Sequence, residues 1–290
     1  MTDHTSPLIV VAGATGYLGG CTVRALHQAG FRVRALARNP KRLAAVADCC
    51  DEVFVGEATR IETLEGLCDD AFAVFSSIGI RSLARRPTLW DVDRDANLNL
   101  MRCAEQAGVS RFVFTSIQGA PIYRKEIKVM EAREQVVDAL AASSMTSTII
   151  RPTGLFNDMA EFFGMAQKGR LWLCGDGQAR VNPIHGEDVG EWVAAALQQA
   201  TPPTEADLGG PETFTLNEIG ALAFEVLGRS PKVSHVPLWV LSACAGLTGW
   251  WHPNLATLLR GFRHVCARGA VAEATGHRTL RAEFERLRAA

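Results

Sequence analysis

Three observations predict an α/β chain built on a doubly wound parallel sheet with a smaller C-terminal lobe. Apolar, strand-like runs alternate with helical patterns up to residue 150. These runs read as buried on both faces, as strands covered by helices on each side do. The first run, Leu8-Ile9-Val10-Val11-Ala12, leads straight into the glycine loop Gly13-Ala14-Thr15-Gly16-Tyr17-Leu18-Gly19 and then into a helix.

In chain order, strand 8–12 is followed by helix 17–29, which Gly30 stops, and by strand 31–37. Helix 41–47 leads to strand 52–55, helix 61–67 to strand 71–77, helix 91–106 to strand 111–115, and helix 125–142 to strand 146–150. After Arg151-Pro152 the rhythm breaks, glycines and prolines become denser, and short elements replace the βα units. In that part Thr215-Leu216-Asn217-Glu218 reads as a capping box opening a helix that Gly228 stops.

Each glycine of the first loop answers a physical need. Gly13 permits the tight turn off the strand. Gly16 lets the backbone approach a pyrophosphate, and Gly19 lets the helix pack close to the sheet. The N–H groups at the start of the helix then face the phosphates. A glycine loop in this strand–helix setting is a dinucleotide-binding turn. The end of the second strand selects the dinucleotide. An acidic residue there would accept from the ribose hydroxyls of NAD. Here Arg38 stands in that place, followed by Asn39-Pro40-Lys41-Arg42. A guanidinium can hold a 2′-phosphate in a bidentate fork, so the sequence points to NADP. Arg38, Lys41 and Arg42 also fit a plain solvated turn, Lys41 and Arg42 more than Arg38. Residues 1–150 are thus expected to form a Rossmann-type NADP-binding domain, and 151–290 a smaller substrate-binding lobe.

Composition bounds the function classes. The 290 residues are 48% hydrophobic and 21% charged, with a formal net charge of −1. That near-neutral balance argues against a nucleic-acid partner. The short polar stretch Met1 to Pro7 does not read as a signal peptide, and a cytoplasmic location is expected. The eight cysteines form no C-x-x-C pair and no Cys/His spacing suited to zinc, so no metal is expected and they read as reduced core thiols.

The chain resembles the atypical, extended-type short-chain dehydrogenase/reductases, in particular their NmrA-like NAD(P)-binding branch. The resemblance rests on Gly13 to Gly19, Val33-Arg34-Ala35-Leu36-Ala37-Arg38-Asn39-Pro40, Phe75-Ser76-Ser77-Ile78-Gly79, Asn97-Leu98-Asn99-Leu100, Arg111-Phe112-Val113-Phe114-Thr115-Ser116 and Thr148-Ile149-Ile150-Arg151-Pro152-Thr153-Gly154. Gly175-Asp176-Gly177 and Asn182-Pro183-Ile184-His185-Gly186-Glu187-Asp188-Val189 are similar to divinyl chlorophyllide reductase-like members. The resemblance implies that Thr15, Gly16, Tyr17 and Leu18 lie against the pyrophosphate and that Arg38 takes the 2′-phosphate. It places Glu57 and Ala58 near the adenine, and Ser77, Ile78 and Gly79 along the middle of the cofactor. It implies a hydroxyl of Thr115 or Ser116 near the nicotinamide, bordered by Pro152, Thr153 and Phe156. Ser77 and Ser116 fit local backbone capping equally well.

Family members often carry Y-x-x-x-K on the helix before the sixth strand, four residues apart on one face. The matching positions here are Val129 and Arg133. Valine moves no proton, and arginine stays charged, although it can hydrogen-bond ribose. Tyr123 is followed four residues on by Ile127 and makes no such dyad. The remaining catalytic candidates are Ser116, Lys128, Arg133 and Asp158. Lys128 reads better as a solvated helix lysine, and His185 better as a buried anchor of its turn. Phe162, Phe163, Met165, Leu171 and Trp172 suit either the walls of an apolar pocket or ordinary packing.

Residues 236–259 contain no Asp, Glu, Lys or Arg and include Trp239, Trp250 and Trp251, with Arg260, Arg263 and Arg268 following. Three readings fit: a buried helix pair over the substrate pocket, a hydrophobic patch for a partner or a second copy, or shallow membrane contact through tryptophans with a basic flank. The function expected is NADPH-dependent reduction of a hydrophobic small molecule with a carbonyl or conjugated alkene. A non-catalytic NADP(H)-binding regulator or assembly factor is the alternative.

Overall fold

The computed structural model describes residues 6–80 and 84–289. The glycine turn and the alternating apolar runs fold as β1 (Leu8–Ala12), α1 (Tyr17–Gln28), β2 (Arg32–Ala37), β3 (Glu52–Val55), β4 (Ala71–Ser76), α2 (Ala96–Gln106) and β5 (Arg111–Thr115). A short helix α3 (Ala120–Tyr123), then α4 (Lys128–Ala141) and β6 (Thr146–Pro152), complete the regular part. Beyond it come α5 (Phe156–Gln167), β7 (Leu171–Cys174), β8 (Arg180–Val181), α6 (Gly186–Gln198), β9 (Glu205–Leu208), β10 (Phe214–Thr215), α7 (Leu216–Val226), β11 (Val233–Val236), α8 (Leu238–Thr248), α9 (Pro253–Arg268) and α10 (Leu280–Ala289).

The main sheet is parallel, seven-stranded and ordered β3-β2-β1-β4-β5-β6-β9. Chain order reverses between β1 and β4, and ligands of such sheets bind at the carboxyl ends of the strands at that switch. The register sets Ala12 beside both Leu36 and Ser76, so three strand ends lie level there. The edge strand β9 was not among the expected strands. It joins β6 through Ile149 N–H to Thr204 O at 2.8 Å and Thr153 N–H to Leu208 O at 3.0 Å.

Several helical expectations are corrected. The stretch read as helix 41–47 is a 3-10 helix, Pro40–Cys49, with Asn39 accepting from Lys41 N–H and Pro40 in the first turn. Expected helix 61–67 is a single 3-10 turn, Ile61–Thr63. Helix 91–106 opens with a π-helical turn, Trp90–Asp95, before α2. Helix 125–142 starts at Lys128, after α3 and the left-handed Gly119.

Two compact units emerge: Met1–Ser82, Pro87–Arg151 and Val189–Ala206 form one, and Leu83–Arg86, Pro152–Asp188 and Asp207–Ala290 the other. The first has a core around Val10, Val74, Leu100, Phe112, Phe114 and Val136. The second packs Phe156, Phe163, Leu171, Phe224 and Phe284, with the Phe163 and Phe284 rings stacked at 5.1 Å. Phe162 and Met165 belong to that core, so these residues are accounted for by packing, while Trp172 is exposed. The Thr215/Glu218 capping box forms, and Gly228 follows α7 with φ 65°. All eight cysteines are free, and Cys244 is exposed rather than a core thiol. The 236–259 stretch forms most of the hairpin α8–α9, but as a buried pair it is refuted: of α8 only Leu241 and Ala245 are buried. Among the described residues no helix is long and apolar enough to cross a membrane.

Candidate cofactor site

The loop after β1 is shaped by its glycines. Gly13 has φ 92°, a conformation that L side chains rarely adopt, and a Cβ there would sit 2.6 Å from Ser77 Oγ. A Cβ on Gly19 would overlap the Gly13 carbonyl, so the helix can approach the strand only with glycine at this position. Gly16 N–H donates to Gly13 O at 2.8 Å and closes the turn. Gly16 is the N-cap of α1, no side chain caps the helix, and no acidic residue lies in its first turn. The first N–H groups and the positive end of the helix dipole are therefore left for an anion, and Gly16 is exposed where that anion would lie. Thr15 and Tyr17 are half-buried beside it, while the Leu18 side chain is buried and leaves only its backbone to that role.

At the next strand end Arg38 has a side chain 64% exposed, with Nη1 3.5 Å from Glu57 Oε1 just beyond β3. Glu57 is fixed by its backbone: its N–H donates to Thr63 Oγ1 at 2.9 Å, and Thr63 Oγ1 donates to Glu57 O at 3.1 Å. Ala58 is buried, and its carbonyl accepts from Asn99 Nδ2 at 3.0 Å. The loop after β4 is held in a similar way. Ser77 N–H donates to Ala12 O at 3.0 Å, and Ser76 Oγ donates to the buried Asn97 Oδ1 at 2.6 Å. Asn97 Nδ2 in turn donates to Asp93 O at 3.0 Å, while Ile78 and Gly79 are half-buried between the two elements.

The residue in the family's lysine position makes the distinctive contact of this site. Arg133 donates through Nε to Asp93 Oδ1 at 2.9 Å and through Nη1 to Thr115 O at 2.6 Å. A Cβ on Gly79 would overlap the Arg133 guanidinium, so Gly79 makes room for it. Asp93 is fully buried; burial pushes its carboxyl above the usual carboxylate range, against the pull of Arg133. Val129, one turn earlier, packs with Ala120, Ile127, Met130 and Tyr123 in a small apolar cluster.

The other candidates separate. Ser116 is buried and its Oγ donates to Glu134 Oε1 at 2.8 Å; Glu134 is in turn reached by Arg151 at 3.4 Å. Its hydroxyl is thus committed to an internal ion-pair network. Thr115 Oγ1, next to it, is one of few buried side-chain polar atoms among the described residues with no hydrogen-bond partner. Lys128 is exposed beside Arg124, Lys125 and Glu131 around an open surface pocket, one position and about 100° around the helix from Val129.

In the second unit Pro152 ends β6 and Thr153 Oγ1 donates to Asn182 O at 2.6 Å. Asp158 lies in the first turn of α5, where Asn157 Nδ2 donates to its Oδ1 at 3.4 Å. Phe156 meets the His185 ring edge-on at 5.4 Å. His185 Nδ1 accepts from Glu187 N–H at 3.1 Å, and burial lowers its pKa, which makes it an anchor of the α6 start. Sequence reading missed Thr63 and Asp93 and gave Asn97 and Asn99 no role beyond the resemblance; the signal present at Asp93, Asn97 and Asn99 was polar residues buried on a helical stretch.

A parallel sheet with a glycine-rich anion cradle at its switch point defines a dinucleotide-binding α/β protein. Residues 13–200 match the NAD(P)H-binding family model, and the chain belongs to that family. Among curated relatives it is 26% identical over 255 residues to photosystem II assembly factor Ycf39 of Trieres chinensis, covering 87% of this chain and 79% of that one. It is 26% identical over 282 residues to the chloroplastic divinyl chlorophyllide a 8-vinyl-reductase of Zea mays, covering 91% and 69%. Among solved structures it resembles the NADPH-dependent quinone oxidoreductase of Escherichia coli complexed with NADPH, at TM-score 0.79, 18% identity and 96% and 99% coverage. The Citrobacter sp. triphenylmethane reductase complexed with NADP(H) gives TM-score 0.76, 19% identity and 96% and 99% coverage.

Proposed function

We propose that this chain binds NADP(H) in preference to NAD(H) and reduces a hydrophobic small molecule bearing a carbonyl or a conjugated alkene. The observation that carries the cofactor preference is Arg38. Its guanidinium is exposed at the end of β2 and makes a long surface contact with Glu57 at 3.5 Å. Such a pair contributes less than about 1 kcal/mol, so a 2′-phosphate displaces it at little cost and gains a charge-assisted fork. The uncapped start of α1 and the unpaired Thr115 hydroxyl fit the pyrophosphate and an amide of the cofactor. NADPH would supply the hydride. The matching proton comes from water or from a residue other than position 129, because Val129 carries none and Ser116 is committed to Glu134. The relatives named for reduction of a vinyl group, a quinone and a triphenylmethane dye agree with an apolar acceptor.

A second reading rests on Val129 and on the Arg133–Asp93 pair: a protein that binds NADP(H) without turnover, as a regulator or assembly factor like the Ycf39 relatives. Two measurements separate these readings. Titration of both cofactors should show NADPH binding at least about tenfold tighter than NADH, with the difference lost in Arg38→Ala. Equal affinities in the parent would sink the cofactor preference. Oxidation of NADPH is then followed with quinones, aldehydes and divinyl chlorophyllide as acceptors. Tight NADPH binding with no oxidation by any of them would favour the regulator.

A further inference from the structure

The hairpin of α8 and α9 has a surface that the cofactor site does not use. Leu241 and Ala245 are buried, and α8 packs on α9. The opposite face of α8 carries Trp239, Ala243, Gly246 and Leu247, spaced to lie on one side of the helix. Trp239 is 69% exposed and Leu247 77%, and Trp250 in the turn after the helix is 94% exposed. Trp251, beside it, donates its indole N–H to Leu247 O at 3.1 Å. On α9 the exposed positions include Arg260, Phe262, Arg263 and Arg268. From Val226 to Ala272 the sequence holds no Asp or Glu, yet it includes Arg229, Lys232, Arg260, Arg263 and Arg268, in a chain whose total is −1.

We infer that the α8–α9 hairpin docks this protein on the surface of an anionic lipid bilayer. Tryptophan, apolar in body and with one N–H to hydrogen-bond, is the residue that settles at the boundary between acyl chains and headgroups. Eleven residues of α8 reach about 16 Å, half the thickness of a hydrocarbon core, so the helix lies in the interface and does not span it. The lack of carboxylates across the whole segment answers a uniformly negative surface. A protein partner with charges of both signs would not require it. The arginines supply the attraction to lipid phosphates, and the tryptophans and Leu247 the apolar insertion. This inference is independent of whether the protein turns over NADPH.

The full chain is floated with vesicles of phosphatidylcholine alone and of phosphatidylcholine with phosphatidylglycerol. It should float with the anionic vesicles, its tryptophan emission should shift to the blue, and brominated acyl chains should quench that emission. Trp239→Gln with Trp250→Gln should weaken binding by at least about tenfold. Arg260→Gln with Arg263→Gln should weaken it several-fold and flatten its salt dependence. NADPH affinity reports that the variants are folded, and quenching of the parent needs no variant. Failure of the parent to float, or flotation without quenching, would overturn the inference. So would tryptophan variants that bind as the parent does. A lipid-free dimer abolished by the same tryptophan substitutions would assign the face to a second copy and overturn it too.

Discussion

Asp93 and Arg133 stand forty residues apart in sequence and depend on each other in the fold. Removing one partner of a buried pair strands the other charge, at a cost of about 3–5 kcal/mol. Arg133→Ala should therefore lower the unfolding free energy by about that much, measured in urea. Asp93→Asn combined with Arg133→Met leaves no charge stranded and should lose clearly less than Arg133→Ala alone. An equal or larger loss in the double variant would show that the pair is not coupled in this way. Gly16 poses the opposite case, a residue kept for its ligand. Its φ of −90° suits any side chain and the residue is exposed, although a Cβ there would stand 3.2 Å from Gly13 O and the turn must give by a few tenths of an ångström. The added methyl groups fill the space over the α1 N-terminus. Gly16→Val should stay folded, with a modest loss of thermal stability, and bind NADPH more than about tenfold more weakly. Undiminished binding by the folded variant would move the pyrophosphate elsewhere.

Whole elements explain what could be read from the sequence and what could not. The strands β1, β4 and β5 are buried over most of their length, so their sequences are continuous apolar runs that announce themselves. Strand β9 is Glu-Ala-Asp-Leu at the sheet edge with alternating exposure, and no apolar run marks it. The π-helical turn over Trp90–Asp95 swings Asp93 toward Arg133 and Ile80 N–H, a contact no local pattern encodes. The α7 capping box was legible because all its bonds lie within four residues. Thr215→Ala should cost about 1 kcal/mol in urea unfolding, and Thr215→Ser much less. On α4 the spacing of Val129 and Arg133 was legible, but their partners were not. If the chain is an enzyme, Tyr123→Phe should keep turnover within a few-fold, since Tyr123 packs with Val129 in an apolar cluster. A collapse of at least about a hundredfold at unchanged NADPH affinity would make Tyr123 the proton donor.

Across the molecule two groups shifted by burial respond to acid with opposite signs. In the first unit the buried Asp93 titrates above the usual carboxylate range, so its contribution is fullest in acid and declines as the pH rises through that folded value. In the second unit His185 titrates below its ordinary value of about 6.5, chiefly because it is buried. The unfolded chain then takes up the proton first. The stability His185 contributes is full above about pH 6.5 and is lost as the pH falls through the lower folded value. Glu187, Glu283 and Asp188 pull the other way and Arg278 opposes them, but burial dominates. A stability profile of the parent alone mixes these two signs. The difference between the parent and His185→Gln isolates the histidine, because Asp93 is common to both. Urea unfolding should show the parent's advantage over His185→Gln largest near pH 7.5 and shrinking toward about pH 5. A difference that grows on acidification would mean that Glu187 and Glu283 hold His185 protonated in the fold, and that its role is an ion pair instead of a neutral cap on α6.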